Sequence, residues 1–280
     1  MLKIGVIAQD RWSESIGSEL QKIIQEKTQV ESSISTFQNA QEVWNEIRSA
    51  KVSVMASPLS LLPTTLPKGI VITALGERLN SSNSLIISTN NVDETQFLSL
   101  KAGTLVGFQN DINFLQFSNF EAHCSMQPMD MTPFQAKDML EKGDFGACVL
   151  PNECLPYLNI EENKYKIIPF SPKEYIPLAG QGVTAYLTDE DDLATRRLLK
   201  AAFQGIKLPT GQTISTVTNI ERKVKQLCGD MDIAVYCEID RAKNYHLLAA
   251  AAVYGELKKV RLSQSTSFEL AEKCFEKLNN

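Results

Sequence analysis

The first part of the chain alternates between a helical and an extended pattern of apolar positions. Residues 2–8 form a short apolar run typical of a buried strand, and residues 13–27 place apolar side chains three and four positions apart, which predicts a helix. The patterns at residues 30–36, 39–50 and 51–56 predict a strand, a helix and a strand. This order of elements predicts a mainly parallel sheet with right-handed crossovers.

A second block of the chain repeats this order. Its predicted strands and helices lie, in turn, at residues 104–107, 112–119, 122–126, 133–142 and 145–150. Pro58, Pro63 and Pro67 break up the connection that follows the first block. Residues 69–75 and 84–88 are predicted to be further strands of that first block. The chain therefore predicts two α/β units of similar build.

Residues 175–187, YIPLAGQGVTAYL, predict a loop that runs into a strand. Gly180 and Gly182 bracket Gln181, so the backbone can adopt positive φ angles here and approach another group closely. From residue 183 onwards apolar and polar positions alternate, as in a strand. We expect this strand to return the chain to the first sheet, although an ordinary loop before a strand has the same composition.

The C-terminal part of the chain predicts a small unit of mixed structure. After a helix at residues 191–203, a helix, a strand, a hairpin and a closing helix are predicted at residues 218–227, 233–239, 245–254 with 257–262, and 266–278. The expected fold class is α/β: two α/β domains joined by crossing strands, plus a small α+β C-terminal domain. The expected limits are residues 1–95 with 174–204 for the first domain, 96–173 for the second and 205–280 for the third.

Composition and charge narrow the class of function. Of 280 residues, 43% are hydrophobic and 22% are charged, which is typical of a soluble globular protein. The net charge of −5 and a pI near 5.3 argue against a nucleic-acid partner. No apolar run reaches the length of a membrane span, and the apolar part of the N-terminus is too short for a signal peptide. We therefore expect a cytoplasmic protein with neither a nucleic-acid nor a membrane partner.

The cysteines and histidines give no indication of a metal site. The six cysteines form no CxxC pair and lack the spacing of zinc ligands, and the only histidines are His123 and His246. Structural disulfides are not expected in a reducing compartment. Most of the cysteines are therefore predicted to be small buried side chains.

Several stretches resemble, in their order and spacing, the hydroxymethylbilane synthase (porphobilinogen deaminase) family. Residues 66–78, LPKGIVITALGER, are similar to a family segment that ends in Glu-Arg, and residues 101–107, KAGTLVG, resemble the strand that opens the family's second domain. Residues 143–150, GDFGACVL, resemble a later strand, and residues 218–236 resemble the helix and strand that carry the cofactor cysteine. The loop at residues 175–187 is similar to the family's crossing loop, so the resemblance covers nearly the whole chain.

The resemblance implies a fold and a chemistry. It implies two domains like those of a periplasmic binding protein, with a ligand cleft between them, and a small third domain. In the family, an aspartate handles protons while molecules of porphobilinogen, an anionic pyrrole, are condensed. Arginines bind the substrate carboxylates, and a cysteine thioether holds a dipyrromethane primer.

The family's chemical groups have few counterparts in this sequence. Residues 55–66, MASPLSLLPTTL, fall on the aspartate motif but contain no Asp, Lys or His, so they supply no acid catalyst. No arginine occurs between Arg78 and Arg196, so the second unit lacks guanidinium groups that could bind a carboxylate through two hydrogen bonds. A cleft of this composition favours a neutral or weakly charged ligand.

Cys228 is the candidate for cofactor attachment, and it has two interpretations. Residues 226–236 read QLCGDMDIAVY, and matching their strand to the family places Gly229 at the cysteine position, with Cys228 one residue before it. A gap of one residue would restore the match. The alternative is a partly buried cysteine at a helix end, followed by a capping glycine.

Three functions remain open from the sequence. The preferred one is a divergent, catalytically degenerate family member that binds a small ligand in its cleft or acts in tetrapyrrole-pathway regulation, with no cofactor. The second is an active synthase that carries dipyrromethane and takes its catalytic groups from Asp10, Arg11, Asp111 or Asp130. The third is a cytoplasmic solute-binding module. The residues expected to line the cleft are Ser57, Ser60, Gln109, Asn110, Gly180, Gln181 and Gly182.

Overall fold

The structure is a computed structural model of the chain. It describes residues 1–7, 11–120, 122–129, 132–161, 163–204 and 214–280. The chain divides into two compact units, Met1–Leu79 with Gly182–Thr216, and Asn80–Gln181 with Val217–Asn280. The three-domain limits expected from the sequence stay a prediction.

The strands and helices follow the order that the hydrophobic pattern predicts. Up to the first crossing of the chain they are β1 (Leu2–Ile7), α1 (Arg11–Thr28), β2 (Ser32–Phe37), α2 (Ala40–Arg48), β3 (Val54–Pro58) and β4 (Ile70–Arg78). They continue with β5 (Asn83–Ser88), β6 (Leu105–Phe108), α3 (Asp111–Ser118), β7 (Ser125–Pro128), α4 (Pro133–Lys142), β8 (Ala147–Pro151) and β9 (Tyr165–Pro169). The last are β10 (Val183–Asp189), α5 (Leu193–Ala202), α6 (Ile214–Cys228), β11 (Ile233–Ile239), β12 (Tyr245–Val253), β13 (Glu256–Gln264) and α7 (Leu270–Asn279).

The first sheet has the strand order β2-β1-β3-β10-β4. β1 is parallel to β2 and β3, whereas β10 is antiparallel to β3 and β4. Ala185 in β10 lies between Ser57 of β3 and Leu75 of β4 and is fully buried. The predicted return of the chain to the first sheet at residue 183 is therefore confirmed.

The second sheet repeats this design with the order β7-β6-β8-β5-β9. β6 is parallel to β7 and β8, and β5 is antiparallel to β8 and β9. Assigning residues 84–88 to the first block was wrong, because Leu85 and Ile87 of β5 are fully buried in the core of the second sheet. The connection between β4 and β5 holds neither proline nor glycine, so none of the usual turn residues marks this crossing.

The third sheet is an antiparallel meander, β11-β12-β13, and α7 and α6 from Val217 onwards belong to the same compact unit. An ion pair between Lys223 of α6 and Glu272 of α7 joins the two helices at their exposed side. One face of the third sheet buries Leu248 and Ala250 against Ile112 of α3 and Ile176. The expected α/β fold class, with crossing strands and a small α+β part, is confirmed.

An aromatic stack fixes the segment that leads back towards β10. The rings of Phe170 and Tyr175 stack with their centroids 4.8 Å apart, and the ring of Phe120 stacks on Phe170 at 5.5 Å. Tyr175 is fully buried, and its hydroxyl donates a hydrogen bond of 2.7 Å to the carbonyl of Asn113. Burying these rings holds the irregular segment against α3.

Gln116 of α3 holds the backbone of Ile176 in the same segment. Its Nε2 donates to the Ile176 carbonyl at 2.9 Å, and its Oε1 accepts from the Ile176 N–H at 2.7 Å. Gln116 is fully buried, so water cannot replace either bond.

We predict that Gln116→Leu destabilises the protein, because it keeps the side-chain volume but leaves both backbone groups of Ile176 unsatisfied. The expected loss in the free energy of unfolding is about 2–4 kcal/mol, at roughly 1–3 kcal/mol for each buried orphan. Urea denaturation measures it. The matched control is Gln41→Leu at an exposed position of α2, where a change of less than about 0.5 kcal/mol is expected. Equal effects of the two variants would contradict the assigned role of Gln116.

Candidate ligand-binding site

Neutral polar side chains gather at the carboxyl edge of the second sheet. The parallel strands β6 and β8 end at Phe108 and Pro151, and the residues that follow them are Gln109, Asn110 and Asn152. Open α/β sheets bind ligands beyond the carboxyl ends of their strands. This edge is therefore the candidate site within the second unit.

Asn110, a predicted cleft residue, starts α3. Its side-chain oxygen accepts a hydrogen bond of 2.9 Å from the N–H of Asn113, which caps the helix. Gln109 is half-buried beside it. Asp111, considered above as a substitute acid, lies exposed in the first turn of α3, where its charge favours the helix dipole.

At this edge, the buried side chains of Asn83 and Asn152 each have one amide atom without a partner among the described residues. Asn83 is fully buried at the start of β5, and its Nδ2 has no hydrogen-bond partner there. Asn152 donates from Nδ2 to Ser82 Oγ at 3.0 Å, but its buried Oδ1 has no such partner either. Buried polar groups are nearly always hydrogen-bonded, so Asn83 Nδ2 can donate to, and Asn152 Oδ1 can accept from, a water molecule or a polar ligand group.

Gln181, another predicted cleft residue, positions this edge. It is 2% exposed, and its Nε2 donates to the carbonyl of Ser81 at 2.7 Å and contacts Asn83 Oδ1 at 3.2 Å. Its Oε1 accepts from the N–H of Leu178 at 3.2 Å. The Nε2 end therefore joins the loop to the start of β5, while the Oε1 end closes a bond within the loop. Direct contact of Gln181 with a ligand stays a prediction.

Glu221 of α6 anchors the same loop, and the sequence analysis missed it. Its carboxylate is fully buried, with Oε2 accepting from the Gly180 N–H at 2.9 Å and Oε1 from the Cys237 N–H at 2.8 Å. The positive φ angles expected for Gly180 and Gly182 are confirmed, at 78° and 82°. The available signal was an ionisable residue on the buried face of α6, between Val217 and Val224.

In the first unit, the region matching the family's acid motif is apolar. Met55, Leu59 and Leu62 are buried in the core of that unit. Ser57 is 3% exposed in β3, and its hydroxyl contacts the Pro58 carbonyl at 3.4 Å. Ser60 lies half-buried in a 3₁₀ turn. The region offers hydroxyl groups but no ionisable side chain.

Cys228 is the last residue of α6 and does not fit an attachment site for dipyrromethane. The side chain is 8% exposed, and burial raises the pKa of its thiol. Burial, with a smaller contribution from the nearby Cys228, raises the pKa of Cys274 in α7 to about 12. The C-terminal end of a helix and the exposed Asp230 and Asp232 further disfavour a thiolate.

The substitute catalytic groups can be placed only in part. Asp10 and Asp130, and the side chain of Arg11, lie outside the described residues. Within the described part of the chain, no group of three or more His, Cys, Asp or Glu side chains could hold a metal ion. No helix in that part is long and apolar enough to cross a membrane.

We predict that Glu221→Gln destabilises the protein although the two side chains have the same shape. The new amide group would point a donor at one of two N–H donors, so a charge-assisted bond of about 1.5–3 kcal/mol is lost. Urea denaturation, followed by circular dichroism, measures this loss. Glu272→Gln, which removes one half of an exposed ion pair, is the control, with an expected effect below about 1 kcal/mol. A loss no larger than that of the control would contradict the anchoring role.

Comparison with known proteins gives weak but consistent sequence relatives. Porphobilinogen deaminase of Nostoc sp. is 27% identical over 141 residues, which cover 50% of this chain and 42% of that protein. The enzyme of Prochlorococcus marinus is 23% identical over 206 residues, or 74% and 63% of the two chains, and that of Campylobacter jejuni is 26% identical over 131 residues, or 47% and 41%. The matches thus span about half the length of these relatives. No family model matches the chain.

Several solved structures have a similar chain topology at low sequence identity. A periplasmic substrate-binding protein from Coxiella burnetii has a TM-score of 0.49 at 13% identity, over 74% of this chain and 93% of its own. The methionine-binding protein MetQ has 0.47 at 13%, over 72% and 89%, and the VFT2 domain of Bordetella pertussis BvgS has 0.46 at 16%, over 74% and 88%. These TM-scores are below 0.5, so the topology described above rests on its own strand pairings.

The sequence matches and the resemblance of the framework segments agree. The stretches that resemble the deaminases include strands of all three sheets, the helix α6 and the loop before β10. The chain is therefore a distant relative of the porphobilinogen deaminases.

Proposed function

We propose that the protein is a divergent hydroxymethylbilane synthase-like protein that binds a small, uncharged polar ligand and has lost the condensation of porphobilinogen. The observation that carries the proposal is the carboxyl edge of the second sheet. It offers the unpaired atoms Asn83 Nδ2 and Asn152 Oδ1, and residues 79–195, which contain this edge, include no arginine. A role in regulating tetrapyrrole synthesis is part of this proposal, as is the cytoplasmic location.

The groups that the sequence lacks would have large effects on the rate and on substrate binding, so we do not expect the protein to condense porphobilinogen. A positioned acid–base group contributes roughly 10²- to 10⁴-fold to a rate, and residues 55–66 hold none. An unpaired carboxylate brought into a buried site costs several kcal/mol, and no arginine lies between residues 79 and 195 to offset it. A substrate with two carboxylates would therefore bind weakly and react slowly.

The ligand class follows from what the edge can satisfy. Asn83 Nδ2 is a donor and Asn152 Oδ1 an acceptor, so a matching ligand carries at least one acceptor and one donor. Neither group is charged, which favours an amide, a lactam or an esterified pyrrole over a free polycarboxylate. Discrimination would arise from leaving these buried groups unpaired when the wrong ligand binds.

An active synthase is the second candidate, and one observation favours it. Arg222 and Lys225 are half-buried on α6 within two turns of Cys228, and burial lowers the pKa of both. These cations could meet the carboxylates of a primer attached to Cys228. A solute-binding module without any link to tetrapyrroles is the third candidate.

We predict that the purified protein has the mass of the bare chain and forms no hydroxymethylbilane from porphobilinogen. Intact-protein mass spectrometry and Ehrlich's reagent measure the two results. An adduct of two pyrrole units that is lost in Cys228→Ser but kept in the control Cys274→Ser would establish the active synthase instead.

The same preparation tests the ligand class through its melting temperature. Excess dimethyl ester of porphobilinogen is expected to raise the melting temperature more than the free diacid, and Asn83→Leu is expected to remove the difference. A larger effect of the free diacid would contradict the proposed neutral site.

A further inference from the structure

A hydrogen-bonded line of three side chains crosses the exposed end of the third sheet. Ser263 of β13 is the strand partner of His246 in β12, and Ser263 Oγ lies 2.8 Å from His246 Nδ1. His246 Nε2 lies 3.0 Å from Oδ2 of Asp240, the residue that follows β11. A hydroxyl, an imidazole and a carboxylate thus stand in the order used by nucleophilic serine sites.

The environment of Asp240 sets the direction of these hydrogen bonds. The Asn244 N–H donates to Asp240 Oδ1 at 2.8 Å, and Asn244 Nδ2 donates to Oδ2 at 3.2 Å. Hydrogen bonds from His246 and Asn244 lower the pKa of Asp240 to about 2, so this carboxylate is an acceptor at neutral pH. His246 therefore donates from Nε2, which leaves the lone pair of Nδ1 to accept the proton of Ser263.

The strand register supplies a further donor beside the hydroxyl. The Asp240 N–H donates to the Asn244 carbonyl at 3.0 Å, so these two residues form a hydrogen-bonded pair of the antiparallel ladder. Such pairs recur every second residue, so Glu238 and His246 form the next one. The N–H of His246 therefore points towards β11. On the other side of β12, His246 and Ser263 form a non-hydrogen-bonded pair, so the N–H of Ser263 points away from β12. β13 is the edge of the described sheet, so this N–H is open to an oxyanion formed at Ser263.

A surface cavity of about 320 Å³ opens beside Ser263 and His246. Leu248 and Leu262 give it apolar walls that suit a short acyl group. Lys173 and Arg261 lie on another side, where Arg261 Nη2 donates to the Lys173 carbonyl at 2.7 Å. Glu238 is the acidic residue of the lining, so the two cations favour an ester that also carries an anionic group.

We propose that Ser263, His246 and Asp240 form a second, hydrolytic site that cleaves esters of short acyl groups. Ser263 Oγ attacks the acyl carbon while its proton passes to His246 Nδ1. The ester C–O bond then breaks, and the departing alcohol oxygen takes that proton. Water attacks the acyl-serine and gives a proton to His246, which returns it to Ser263 as the carboxylic acid leaves. Ester and water thus yield acid and alcohol, without another reactant.

A fluorophosphonate probe tests this site, because it forms a bond to the oxygen of an activated serine and releases fluoride. We expect one adduct per chain, and peptide mapping should place it on Ser263. Ser263→Ala should abolish labelling, and His246→Gln should slow it by roughly 10²-fold or more through loss of the base. Hydrolysis of 4-nitrophenyl acetate should fall in parallel.

The neighbouring exposed serine provides the matched control, since Ser265→Ala should label at the rate of the unchanged protein. Circular dichroism and the melting temperature identify variants that fail to fold. Absence of an adduct on folded protein in excess probe, equal labelling rates in His246→Gln, or equal labelling of urea-unfolded protein would each overturn the proposal. These results are separate from those with porphobilinogen, because the two sites share no residue.

Discussion

The architecture of the second unit depends on one buried carboxylate. Glu221 has no contact with solvent, and it is held in place by donating backbone groups of Gly180 and Cys237. A buried charge is tolerated only when hydrogen bonds replace its hydration. The bonds of Glu221 thereby join the loop before β10 to the third sheet. Gln181, the next residue in that loop, then fixes Asn83 and with it the polar edge of the second sheet.

The loop between β9 and β10 depends on side chains for some of its backbone hydrogen bonds. Between β9 and β10 the backbone has two glycines with positive φ and two prolines without an N–H, so it cannot form a ladder with a neighbouring strand. Turn bonds within the loop satisfy some of its buried backbone groups, and side chains from elsewhere satisfy others, namely Gln116 at Ile176 and Glu221 at Gly180. The Tyr175 hydroxyl does the reverse and bonds the carbonyl of Asn113. These bonds define the path of the loop without regular secondary structure.

Periodicity in the sequence predicted the elements well, because core-facing positions dominate it. It failed where pairing is decided over long distances: β5 was assigned to the wrong sheet, since a strand's pattern tells which face is buried but not which neighbour it has. Glu221 escaped notice because its partners lie 41 and 16 residues away. The line from Asp240 to Ser263 likewise exists only through the register of three strands. The cleft residues taken from the family resemblance stay predictions.

The crossing of strands between the two units also determines the order in which the sheets can be completed during synthesis. β10 lies between β3 and β4, and β4 has no other strand neighbour in the described sheet. On a ribosome, residues 70–78 therefore emerge long before residues 183–189, which complete their pairing. The second sheet, whose strands run from residue 83 to residue 169, is complete before β10 has been synthesised. Nascent chains would thus present open edges at β3 and at β4 after all strands of the second sheet have been synthesised, and binding by a chaperone matters most in this interval.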